Sequence, residues 1–213
     1  MKFDYFDIFA IGWLIIGLFW GRKRGMSQEF LPLIQWLGIV TVAGLLYEPF
    51  GSFIHHHTFF SALWSYITAY LLIATGIHLI YFCLKQVLGP KLGEKNLFGT
   101  SEFYLGMTAG AMRFGCMLLA GMALMNARIV SEAELAKTEK FQKENFSDVR
   151  FPTYGGFQQD VLFKSFLGTW TRSNLKTVLI ASVAPAAKPQ VQLGAPKKNT
   201  NMIAAVPTPP AKK

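Results

Sequence analysis

Charge is scarce in this sequence. Only 15% of its 213 residues are charged, while 52% are hydrophobic, whereas soluble domains carry about 25% charged residues. This imbalance excludes an ordinary soluble domain as the interpretation of the whole chain. The net charge of +9 does not indicate nucleic-acid binding, because the basic residues cluster between apolar blocks and in the C-terminal tail.

Motifs that carry chemistry are missing as well. The only cysteines, Cys83 and Cys116, lie in or beside apolar blocks, which excludes a disulfide framework and indicates two buried structural thiols. The sequence contains no Gly-rich phosphate loop, no Cys-x-x-Cys pair and no Gly-x-Ser-x-Gly elbow. Three consecutive histidines at 55–57 lack companion ligands at metal spacing, so we expect a solvated loop there. We therefore predict no enzyme activity, no cofactor and no metal site.

Long apolar runs are present instead. Four of them cover residues 5–21, 30–47, 58–84 and 103–127, close to the roughly 20 residues that cross a bilayer as a helix. Asp4 and Asp7 occupy the place where a cleaved signal peptide has basic residues, so we expect the first run to be a span. The sequence predicts an all-α fold, with a four-helix integral membrane domain over residues 1–127.

The connections between the runs predict an orientation. Arg22-Lys23-Arg24 follows the first run, and Lys85, Lys91 and Lys95 follow the third. The second connection contains neither Lys nor Arg. Because basic loops stay in the cytoplasm, both termini are predicted to lie outside it.

The chain changes character after the fourth run. Residues 131–148 are rich in Glu, Lys and Gln and predict a solvated helix. Residues 161–183 place Phe163, Phe166, Leu167 and Trp170 on one helical face, which predicts an amphipathic helix. That helix would lie on the membrane surface, dock on the bundle or pack against the rest of the extramembrane part (128–183). Residues 184–213 are rich in Pro, Ala and Lys, and we expect them to be disordered.

Arg113 is the most informative residue, because it is a charge inside an apolar run. Such a charge costs about 3 kcal/mol or more in lipid, so it must face protein or water. Gly106 and Gly110 fall on the same helical side and let another helix approach closely. Arg113 is therefore expected to point into that contact. Gly17 and Gly21 form a second small-residue pair, which would serve contacts within one chain or between chains of a homo-oligomer.

Three polar residues are candidate partners for Arg113. Gln35 and Arg113 both lie about 14–15 Å from the cytoplasmic surface at 1.5 Å per residue, so the Gln35 amide could accept a hydrogen bond from the guanidinium. Glu29 lies nearer that surface and would supply the countercharge, while Asp7 near the opposite surface is the poorer match. The cluster is either a static polar staple or a proton-linked path. His78, in the third run, is either a hydrogen-bonded interior residue or a proton carrier.

Short motifs along the first 126 residues carry a family resemblance. They are Asp7, Arg22-Lys23-Arg24-Gly25, Glu29, Trp36-Leu37-Gly38, Gly99-Thr100 and Leu105-Gly106-x-x-x-Gly110-Ala111-x-Arg113. Their order and spacing resemble the CvpA family, the colicin V production proteins of bacterial inner membranes. The sequence departs from the family pattern twice. Glu102-Phe103 stands where relatives have Asp-Arg, and Phe114 follows Arg113 where relatives have Gly.

The resemblance implies a multi-pass protein of the bacterial inner membrane. It implies a role in colicin V-type toxin production or secretion, or in envelope homeostasis. We expect a non-enzymatic protein that acts through contacts with the lipid bilayer and with other membrane or periplasmic proteins. The alternative is a small proton- or solute-conducting unit centred on Arg113, Gln35 and Glu29.

Overall fold

The computed structural model describes residues 4–93, 99–146 and 151–183. The elements within these residues are helical, and none is a strand. They are α1 (Tyr5–Arg24), α2 (Met26–Gly38), a π-helical turn (Ile39–Ala43), α3 (Gly44–His57), α4 (Ala62–Gly93), a 3-10 turn (Gly99–Ser101), α5 (Glu102–Asn126), α6 (Glu132–Phe146), α7 (Tyr154–Gln159), a second π-helical turn (Asp160–Lys164) and α8 (Phe166–Asn174).

Among the described residues, four helices are long and apolar enough to cross a membrane. They cover Tyr5–Arg24, Met26–His57, Ala62–Leu88 and Gly99–Asn126. This confirms the predicted all-α membrane bundle of four spans.

The second span is longer than predicted, because α2 continues through the π-helical turn into α3 as far as His57. The prediction of a loop at residues 55–57 is therefore wrong. Those histidines form the last turn of α3, with exposed side chains. Packing explains the extension. A Cβ atom on Gly51 would lie 3.1 Å from the Tyr66 Cα atom of α4, so contact with α4 holds this part of the chain helical in spite of Pro49.

The spans alternate in direction and pack in a row. α5 packs mainly on α1 and α2, whereas α4 packs on α2 and α3. α5 is consequently the most buried span and α4 the least. The single residue Gly25 joins α1 to α2 with φ 74°, a backbone conformation that favours glycine. We call residues 151–183 the appendage. The side of the bundle at Gly25 is the Gly25 end, and the opposite side is the appendage end.

The residues after α5 dock on the appendage end. Leu162, Leu179 and Ile180 are buried in one apolar cluster with Tyr47, Met122 and other residues of the spans. Three of the hydrogen bonds that fasten this segment to the bundle lie near its C-terminal end. The Asn126 Nδ2 atom donates to the Ile180 carbonyl (2.9 Å), the Ala181 N–H donates to Tyr47 Oη (2.8 Å), and the Val183 N–H donates to the Ala127 carbonyl (3.1 Å). Of the three placements predicted for residues 161–183, the structure shows docking on the bundle.

The single amphipathic helix predicted over residues 161–183 is broken in the structure, and its apolar side chains do not share one buried face. Phe163, Phe166 and Trp170 are 42–47% exposed, although Leu167 packs against the core. Val161 and Leu162 are fully buried instead. The cause is a break in helical phase, because the π-helical turn and the extended backbone of Ser165 separate α7 from α8. A single helical pattern does not apply across such a break.

Two further predictions concern residues 131–148 and residues 184–213. The solvated helix expected at 131–148 is present as α6, with residues 147 and 148 outside the described part. The prediction of disorder for residues 184–213 also lies outside the described residues.

Candidate functional site

A buried ion pair joins α2 to α5. The Nη1 atom of Arg113 lies 2.9 Å from Oε2 of Glu29, and the two side chains are 7% and 0% exposed. Helical side chains lean toward the N-terminus of their helix, so Arg113 reaches from mid-span toward the Gly25 end. Glu29 lies there in the first turn of α2, where the helix dipole favours a carboxylate.

A second arginine shares the same carboxylate. Arg24, at the end of α1, places Nη1 3.4 Å from Oε1 of Glu29 and is 44% exposed. Two guanidinium groups therefore face one carboxylate, and the pairing spans α1, α2 and α5. The sequence predicts a loop at Arg24 and Gly25, between the first two apolar runs. Arg24 instead ends a helix, while Gly25 forms the one-residue elbow.

The two small-residue pairs face each other inside one chain. A Cβ atom on Gly110 would lie 2.8 Å from the Gly21 Cα atom, and one on Gly17 would lie 2.9 Å from the Gly110 carbonyl oxygen. A Cβ atom on Gly106 would lie 2.8 Å from the Gly25 Cα atom. Real Cβ atoms do not approach other atoms this closely, so α1 and α5 require glycine at these positions. Both pairs serve the contact between α1 and α5.

Arg113 does not point into this glycine contact, contrary to expectation. Phe114 occupies that side, since a Cβ atom on Gly17 would lie 2.9 Å from the Phe114 Cβ atom. The ring of Phe114 packs on Trp13 of α1 at 5.2 Å between ring centroids. Successive residues of a helix point about 100° apart, so Arg113 and Phe114 face different neighbours. α5 lies between α1 and α2, so Phe114 faces α1 and Arg113 faces α2.

Gln35 pairs with His78 of α4, and not with Arg113 as predicted. The Gln35 Nε2 atom contacts His78 Nδ1. Gln35 and Arg113 lie at similar depths, but depth does not determine which face of a helix a side chain occupies. Gln35 lies six positions after Glu29, which turns its side chain by about 240° from that of Glu29. Glu29 therefore faces α5 while Gln35 faces α4. His78 is hydrogen-bonded, although its side chain is exposed at the protein surface.

Glu102 is a buried acid that sequence reasoning did not select. Its Oε1 atom accepts a hydrogen bond of 2.6 Å from the Ser27 N–H, just after the Gly25 elbow. A Cβ atom on Gly25 would lie 2.8 Å from the Glu102 Cγ atom. Glu102 thus fastens the start of α5 against the turn between α1 and α2. The available signal was its position, because an acid remains there where the family resemblance expects Asp-Arg.

The colicin V production protein family matches residues 6–144, more than half of the chain. This chain belongs to that family. The match confirms the resemblance inferred from the first 126 residues and extends beyond them into α6. The family assignment links this protein to toxin production. Its four apolar spans make it a multi-pass membrane protein. No curated protein and no solved structure matches the chain.

Asp7 of this family member lies at the appendage end, far from Arg113. Its carboxylate accepts hydrogen bonds from the Phe166 N–H (2.9 Å) and the Leu167 N–H (3.0 Å), the first two amides of α8. Helix N-termini leave such amides without partners inside the helix. Asp7 therefore ties α1 to the appendage. Sequence reasoning missed this role because the paired residues are about 160 positions apart.

Gln158 is a second anchor of the appendage that sequence reasoning missed. Its Nε2 atom donates to the Met125 carbonyl at 2.6 Å and also to the Arg128 carbonyl, while its Oε1 atom accepts from the Val130 N–H at 3.0 Å. Its side chain is buried. Gln158 thereby satisfies backbone groups where α5 ends, which holds α7 against the bundle.

Apolar packing closes the ion-pair site on its appendage side. Val40, Cys116 and Ala120 form a buried cluster there, covered by Trp36, Leu119 and Val178. Within the described ranges 4–93, 99–146 and 151–183, no group of His, Cys, Asp and Glu has the geometry of a metal site. The arrangement suits charge neutralisation and helix clamping.

Proposed function

We propose that this family member is a non-enzymatic membrane component that supports colicin V-type toxin production or secretion, or envelope homeostasis, by contacting other membrane or periplasmic proteins. One observation carries the proposal. The Arg113–Glu29 ion pair is enclosed between α2 and α5 at 2.9 Å, with the α1–α5 glycine contact beside it. The buried ion pair and the glycine contact hold the helices in one arrangement. A rigid bundle with a docked appendage suits a scaffold.

The expected partners would meet the appendage and α6. The helix α6 carries mixed charges, including Glu132, Lys140 and Glu144, and its residues are mostly exposed. Self-association is also proposed. Since both glycine pairs are used inside one chain, the least buried span, α4, is the surface that remains for a second copy.

We propose the bacterial inner membrane as the location, with the Gly25 end in the cytoplasm and both termini in the periplasm. Arg22, Lys23 and Arg24 lie in the last turn of α1 at the Gly25 end, which supports this orientation through the positive-inside bias. The test uses Glu139→Cys on α6 in a Cys83→Ser background. An impermeant maleimide should label it in intact spheroplasts. Labelling only after lysis would reverse the orientation.

The functional test compares toxin export with ion flux. A colicin V-producing strain that lacks this protein should release less active toxin, and the parental chain should restore the release. Purified protein in liposomes should give no proton or ion flux above that of empty liposomes. Unchanged toxin release together with unchanged resistance to envelope stress would contradict the proposal.

The alternative is a proton- or solute-conducting unit centred on Arg113, Gln35 and Glu29. One observation favours it. Tyr81 of α4 lies within electrostatic range of Arg113 and Glu29, and its ring centroid lies 6.1 Å from that of His78, which contacts Gln35. Polar groups therefore continue from the Gly25 end to mid-span, where the Val40 cluster follows. A liposomal flux that Arg113→Gln abolishes would favour this function over the scaffold.

A further inference from the structure

Two adjoining cavities form a groove at the appendage end. The first, of about 320 Å³, is lined by Asp4, Tyr5, Phe6, Phe9, Phe157, Asp160 and Val161. The second, of about 160 Å³, is lined by Phe6, Phe9, Trp13, Met117, Leu118, Gly121, Met122, Met125 and Val161. Phe6, Phe9 and Val161 line both cavities, so together they make one continuous groove between α1, α5 and the appendage.

The groove has the depth of one bilayer leaflet. It runs from Asp4, just before α1, to Trp13 on the same helix. Nine residues of helix span about 14 Å, close to half of the roughly 30 Å hydrocarbon core. Below the mouth the lining is aliphatic, aromatic or thioether. These dimensions and this chemistry suit a lipid acyl chain.

The mouth of the groove carries opposite charges side by side. Asp4 and Asp160 line it, and Lys164 Nζ lies 2.6 Å from Asp160 Oδ1. That hydrogen bond raises the pKa of the Lys164 ammonium, so the cation persists to higher pH. The Oδ2 atom of Asp4 is buried and has no hydrogen-bond partner among the described residues. A buried carboxylate oxygen without a partner is costly and favours a donor from outside the protein.

We propose that this groove binds one phosphatidylethanolamine-type lipid. One acyl chain fills the groove, the headgroup ammonium donates to the Asp4 carboxylate, and the phosphate faces the Lys164 ammonium. A zwitterionic headgroup complements the paired acid and base, whereas a headgroup without an amine leaves the Oδ2 atom of Asp4 without a donor. Lipid binding at this groove does not depend on the proposed scaffold function.

Gly121 is a suitable position for a substitution that fills the groove. A Cβ atom there meets nothing within 4 Å, although the residue lines the deeper cavity. Gly121→Leu therefore puts a side chain into the groove without displacing a neighbouring helix. Gly12→Leu on α1 is the matched control, because Gly12 also has open space around it and lies outside the lining of both cavities.

Native mass spectrometry of the full chain, released from detergent micelles, tests the proposal with palmitoyl-oleoyl phosphatidylethanolamine and with phosphatidylglycerol of the same acyl chains. We expect one retained phosphatidylethanolamine per chain in the parent and in Gly12→Leu, and loss of that lipid in Gly121→Leu. Asp4→Asn should reduce the preference for phosphatidylethanolamine about tenfold, as expected from losing one charge-assisted hydrogen bond. Detergent melts of each variant verify folding.

Three results would overturn the lipid site. They are equal retention of both lipids by the parent, unchanged retention by folded Gly121→Leu, and equal loss in Gly12→Leu. The last result indicates a non-specific lipid layer around the spans.

Discussion

Arg113→Leu is expected to destabilise the bundle by about 3–5 kcal/mol, even though leucine suits a membrane interior better than arginine. The substitution removes the partner at 2.9 Å from Glu29, whose side chain has no exposed surface. The remaining Arg24 contact is longer, at 3.4 Å, and its side chain is partly exposed. The buried carboxylate of Glu29 would then lose most of the favourable charge interaction that offsets its burial. A denaturant or thermal melt in detergent measures the loss.

The double variant Arg113→Leu/Glu29→Leu separates the cost of an unpaired charge from the value of the pair. Replacing both partners of a buried ion pair by apolar residues is often neutral or stabilising. We therefore expect the double variant to recover most of the stability that Arg113→Leu loses. Met112→Leu is the control, because Met112 is the exposed neighbour on α5. An Arg113→Leu melt equal to the parent's, with function retained, would refute the staple.

Gly21→Val is expected to separate α1 from α5 and to cost about 3 kcal/mol, at the upper end of overpacking penalties. A Cβ atom at this position would lie 2.9 Å from the Gly106 carbonyl carbon and 3.0 Å from the Gly110 Cα atom. Both are backbone atoms, so no side chain can rotate away to make room. The same denaturant melt measures the effect, and cysteine crosslinking between α1 and α5 reports their separation.

Two glycines provide the control for this prediction. Gly12 on α1 and Gly121 on α5 meet nothing within 4 Å of an added Cβ atom. Gly12→Val and Gly121→Val should therefore melt close to the parent. If Gly21→Val behaved like these two variants, the helices would not be held together by the glycine contact.

The amino-acid sequence was enough to predict the fold class and the two central residues of the site, Arg113 and Glu29. Apolar runs of bilayer length predicted four spans, because a membrane interior imposes both length and composition on any helix that crosses it. The ordered motifs around Arg113 and the glycines predicted the family that residues 6–144 match. An isolated charge in an apolar run also predicted that Arg113 would be sheltered, because exposure to lipid is too costly.

The partner of each polar side chain depends on how the helices pack against one another. Depth along a helix follows from counting residues, but the facing direction depends on which helices lie on each side. That is why Glu29 meets Arg113 while Gln35 meets His78, although the count matched Gln35 to Arg113. Asp7 meets the start of α8 about 160 residues away, and no local pattern encodes such a pairing. The row of spans α1, α5, α2 and α4 assigns each polar side chain its partner, because a helix between two neighbours must divide its faces between them.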